Sequence, residues 1–139
     1  MLNIEKMKKA HVMTRRMCII DYLCTELGFD IYYLFGLLNM YNVKNRGRWF
    51  WQKATFTGVL KDDFNNFNTY MDKFSNQFKS LNEDKINISL NEAKDLLIKL
   101  TSDLETSLFV NRDIDISSVK SYVDDNIKGL IDSSLKGYI

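Results

Sequence analysis

From Asp62 onward the apolar positions form a regular stripe, with Phe64, Phe67, Met71, Phe74, Phe78 and Leu81 following one another at intervals of three and four. That spacing keeps one side of a 3.6-residue helix apolar, so it predicts an amphipathic helix over 62–81 facing a core or a partner. Ser89 and Glu92 make a capping box, in which a hydroxyl and a carboxylate satisfy amides left free at a helix start. Leu90, Ala93, Leu97, Leu100, Leu104 and Leu108 mark the helix it opens. A last helix, capped by Asp115 or Ser117, carries Val119, Tyr122, Val123, Ile127, Leu130 and Ile131 as its apolar face.

The first half is less regular. Met13, Met17, Ile20 and Cys24 recur at three and four within a helix expected over 4–27, and Gly28 stands where a left-handed helix end is favoured. Residues 29–41 are nearly all apolar, which predicts a helix buried on most sides; the segment is too short to cross a bilayer. Residues 42–47 have turn chemistry, and 48–60 resume a helical pattern with Gly58 as a weak point. With no proline to interrupt them, these patterns give six helical segments, no strand and no internal repeat: one all-α domain over 1–139.

Composition narrows the class. Apolar residues make up 45% and charged residues 27%, values of a globular chain rather than a disordered one. The net charge of +1 hides an asymmetry: residues 1–61 hold ten Lys or Arg against four acids, and 62–139 hold nine against fourteen. Such a division either steers an anionic ligand to the first half or lets the halves attract each other. Cys18 and Cys24 project in different directions from one helix, so they read as buried reduced thiols, consistent with a cytoplasmic chain lacking a secretory signal. His11 is the lone histidine and has no second ligand at metal spacing. Asp62–Asp63 and Asp124–Asp125 fit helix starts, where the macrodipole favours acids. No nucleophile with its base, metal cluster or phosphate loop is legible, so the reading is non-enzymatic.

Chemistry concentrates in 29–56, which hold nine of the eighteen aromatic residues around Lys44, Arg46 and Arg48. Arginines beside a helix start hold a carboxylate or another small anion through a planar fork. Tyr32, Tyr33, Phe35, Leu38, Met40, Phe50, Phe56, Met71 and Phe74 are candidates to line an apolar cavity behind Arg46 and Arg48. Together they suit an amphiphile with an anionic end. The competing reading makes the rings core and the arginines solvated surface.

A chain of this length with about six helices, a buried aromatic second segment and no mid-chain histidine to ligate haem resembles the haem-less globin-like sensor domains of bacilli. Within them it is most similar to stand-alone sporulation-inhibitory domains related to the sensor region of a sporulation histidine kinase. The resemblance implies a homodimeric globin-like bundle that holds a fatty acid in an apolar tunnel, with chloride nearby and no haem. It would inhibit sporulation by taking the kinase's signal. Two other classes stand beside it. One is a small helical interaction module or viral antagonist with a groove for a partner helix. The other is a helix-turn-helix DNA reader, with 29–41 as a recognition helix that has no base to offer phosphate; the sensor reading expects no nucleic-acid partner.

Overall fold

Apolar stripes at helical spacing and a chain free of proline produce an all-α structure. The computed structural model describes Lys6, residues 9–41, Phe56, residues 58–79 and residues 90–138, without the side chains of Met13 and 77–79. Among these the helices are α1 (Val12–Leu27), α2 (Ile31–Tyr41), α3 (Gly58–Lys79), α4 (Leu90–Glu105), α5 (Ile116–Tyr122) and α6 (Lys128–Leu135). A π turn, Thr106–Val110, extends α4, and another, Val123–Ile127, joins α5 to α6 in one continuous rod. Five helical rods result among the described residues, with no strand.

The stops and starts follow local chemistry. Gly28 ends α1 with φ 74°, and the Phe29 and Gly28 amides donate to the carbonyls of Cys24 (2.8 Å) and Thr25 (3.4 Å), the paired bonds of a Schellman ending. Asp30 then caps α2 by accepting from the amides of Tyr32 (2.9 Å) and Tyr33 (3.4 Å). At the other end of α2, Arg112 donates to the carbonyls of Met40 (3.5 Å) and Tyr41 (3.0 Å), with its guanidinium 4.7 Å above the Tyr41 ring. A cation there complements the negative end of the helix dipole. Asp115 caps α5 by accepting from the Ser118 amide and hydroxyl, which hold its carboxyl below the usual aspartate range.

The expected burial of the second segment holds. Ile31, Leu34, Phe35, Gly36, Leu37 and Leu38 of α2 are buried, and the helix packs against α1, α4, α5 and both π turns. Phe64, Phe67, Met71 and Phe74 of α3 are buried as the stripe requires; the Phe78 side chain and Leu81 lie outside the described residues, as does Ser89 of the capping box. α3 starts at Gly58, four residues before Asp62, so the two aspartates sit in its second turn rather than at its start. Of the segment expected to be helical over 48–60, the described part is the non-helical Phe56 and the start of α3.

The rod 116–135 departs from its expected face. Val119, Val123, Ile127 and Ile131 are buried, whereas Leu130 is 59% exposed. In an unbroken α-helix, at 3.6 residues per turn, Leu130 would lie only about 20° from Val119 and Ile131 about 120° away. The π turn, in which the Lys128 amide bonds to the Val123 carbonyl, inserts one residue and rotates Ile131 inward as Leu130 turns out. Asp124 and Asp125 therefore lie within this rod and not at a helix start.

The π turn also delivers Val123 to α2. A Cβ added to Gly36 would meet Val123 Cγ2 at 2.4 Å and Val119 Cγ1 at 3.3 Å. Helix propensity favours Gly36→Ala by about 1 kcal/mol, yet the overpacking predicts a net loss of about 1–3 kcal/mol in urea unfolding, relieved by adding Val123→Ala. Ile131→Ala should cost about 2–5 kcal/mol in the same assay, while Leu130→Ala should stay within about 0.5 kcal/mol of the parent.

Candidate functional site

Where α2 begins, α5 and its π turn cross it and leave an open cleft of about 440 Å³. Asp30, Tyr32 and Tyr33 form one wall; Ile116, Lys120, Val123, Asp124 and Lys128 form the other. Lys120, Asp124 and Lys128 follow at intervals of four along the rod. The Asp30 carboxylate faces the amides it caps, so much of its charge is spent on the α2 N-terminus.

Both tyrosines are fixed through their phenols. Tyr32 donates to Asp132 at 2.5 Å, and Lys128 Nζ stands 5.7 Å from the Tyr32 ring centroid. Tyr33 donates to Glu105 at 2.7 Å. The bond to Asp132 first, then burial and nearby carboxylates, push the Tyr32 phenol up to about 12; burial first, then the bond to Glu105, push Tyr33 higher still. Each phenol therefore remains a protonated donor at ordinary pH, and neither serves as a base. With those hydroxyls committed, the rings present apolar faces to the cleft beside two ammonium groups.

The candidate site residues separate into three sets. Tyr32 and Tyr33 line the cleft. Phe35, Leu38, Met71 and Phe74 are packed in the core, and Phe56 is buried between Tyr41 (5.1 Å, stacked) and Phe64 (4.6 Å). Met40 is half-buried at the end of α2, where its carbonyl accepts from Arg112. Arg46, Arg48 and Phe50 lie outside the described residues. The segment weighed as a DNA recognition helix, 29–41, corresponds to α2, in which Ile31, Leu34, Phe35, Gly36, Leu37 and Leu38 are buried.

Lys120, Lys128, Ile116 and Val123 escaped notice as site residues because the last helix reads as a packing element. The recurring charge at every fourth residue was the one legible signal; its position opposite Tyr32 is a product of tertiary packing. Among the described residues, no group of three or more His, Cys, Asp or Glu side chains is arranged to hold a metal ion. His11 is exposed.

Cys18 and Cys24 are free and buried in α1, as expected. Burial first, then the Asp21 charge, pushes both thiols up to about 12, with Asp30 adding to the effect on Cys24. No family model, curated protein or solved structure matches this chain. Because thiolate is the reactive form, neither cysteine should react with a disulfide-exchange reagent at pH 8 in the folded protein, and both should react once urea unfolds it. Rapid labelling of the native chain would contradict the buried placement.

Proposed function

We propose that this chain is a non-enzymatic binding domain for a small amphiphilic acid, such as a fatty acid, with the cleft beside Tyr32 as its site. The observation that carries this reading is the placement of Lys120 and Lys128 next to the apolar surfaces of Tyr32, Tyr33, Ile116 and Val123. An anionic head takes charge-assisted hydrogen bonds from the lysines, and the tail covers rings whose hydroxyls are already paired. The cleft volume of about 440 Å³ falls within the roughly 300–1,000 Å³ common for small-molecule sites.

In the wider proposal the domain is a haem-less globin-like sensor that works as a homodimer and inhibits sporulation by titrating the signal of a sensor histidine kinase. An all-α fold around a buried aromatic second helix is consistent with that resemblance. Arg46 and Arg48, with Phe50, offer a separate place for the accompanying chloride. No helix among the described residues is long and apolar enough to cross a membrane.

Native mass spectrometry of the protein as purified, followed by titration with palmitate, tests both the site and the assembly. Lys120→Gln with Lys128→Gln should weaken palmitate binding by about tenfold or more, equivalent to about 1.4 kcal/mol, and Arg46→Ala with Arg48→Ala should leave it near the parent value. The reverse pattern would move the head to the arginines. A parent protein that neither carries nor takes up a fatty acid would refute the function.

A further inference from the structure

Two carboxylates line the cleft, Asp30 and Asp124, and only one of them has its charge committed. Asp30 accepts from the amides of Tyr32 and Tyr33. The Asp124 side chain has no hydrogen bond or ion pair among the described residues, and the same is true of the Lys120 ammonium one turn before it. Residues four apart on a helix are close enough to pair, yet these two opposite charges share one wall of the cleft without meeting. The facing wall of Asp30, Tyr32 and Tyr33 has no cation to answer Asp124.

The π turn puts a second lysine on the same stripe. In an unbroken α-helix, at about 100° per residue, Lys128 would lie about 80° around the rod from Lys120. The residue inserted by the turn brings it back to within about 20°, with Asp124 between the two. The rod therefore presents cation, carboxylate and cation in succession to a cleft whose opposite side is aromatic. Lys128 stands over the Tyr32 ring, with Nζ 5.7 Å from the centroid, at the end of the cleft where Tyr32 bonds to Asp132.

A plain carboxylate head gains Lys120 or Lys128 but brings a further negative charge beside Asp124, and like charges at that range repel. A head with an ammonium next to its carboxylate removes the repulsion and gives Asp124 a charged donor. We propose that the amphiphile taken by this cleft is zwitterionic at its head, of the long-chain 2-amino acid class. Its carboxylate pairs with Lys120 or Lys128, its ammonium with Asp124, and its tail covers Tyr32, Tyr33, Ile116 and Val123. This rests on the cleft being the amphiphile site and narrows what fills it. All three charged side chains are exposed, so the ammonium adds no more than an exposed ion pair does, up to about fivefold in affinity.

Native mass spectrometry of the full chain with equal amounts of palmitate and 2-aminopalmitate reads this preference directly, because the two share a tail and differ in mass. The amino form should occupy about two- to fivefold more of the protein. Asp124→Asn, an exposed substitution with no contact to lose, should bring the two to parity by weakening the amino form and strengthening palmitate. Equal or greater occupancy by palmitate in the parent, or a preference that survives Asp124→Asn, would overturn the zwitterionic head while leaving the amphiphile function in place. A parent protein that takes up neither acid would refute both.

Discussion

The approach of α2 to the last rod is the contact on which the rest depends. A helix without charge must be covered on most sides, and α2 achieves this by sitting among α1, α4 and α5. Gly36 permits that depth, since any side chain there would occupy the space filled by Val123 and Val119. Val123 is stiff at χ1 and yields little. The π turn that begins at Val123 is tied to the same contact, because its extra residue keeps Val119, Val123, Ile127 and Ile131 on the buried side.

Around this apolar centre, polar contacts at the edges of α2 set its orientation. Asp30 and Arg112 close its two ends, while Tyr32 and Asn39 reach Asp132 and Tyr122 on the last rod and Tyr33 reaches Glu105 on α4. These bonds join residues 71 to 100 positions apart in the chain, so each restricts how α2 can rotate against its neighbours. The cleft results from the same arrangement. Val119 of α5 and Val123 of the π turn meet α2 at Gly36, and the cleft lies beside Tyr32 and Tyr33 near the start of that helix. Val123 belongs to both places, since it lines the cleft and fills the space beside Gly36.

The α3–α4 seam follows a different logic. Its apolar stripes interlock along Phe67, Met71, Leu97 and Leu100, all buried, and supply most of the attraction through area removed from water. Asp63 is an exception placed within that stripe. Lys99 approaches it to 3.2 Å from the edge of the seam, while the helices' register is left to the phenylalanines and leucines.

Periodicity alone determined that the chain is all-α, that 29–41 is buried and that α4 presents Ala93, Leu97, Leu100, Leu104 and Leu108 inward, because helix faces are local consequences of 3.6-residue geometry. Gly28 and Asp115 were likewise legible as boundaries, since caps act within a few residues. Leu130 was misassigned because a π turn shifts the face by one residue without a distinctive sequence signature. The rings of the aromatic block fit either a pocket lining or a core by sequence, and the structure puts Phe35 in the core and Tyr32 in a cleft, on the same helix three residues apart. Only tertiary structure decided that Lys120 and Lys128 stand across from Tyr32, and that Asp63 meets Lys99. Those pairings depend on which helix faces come together, and contact between residues distant in the chain is fixed by packing the whole, not by the spacing of any one segment.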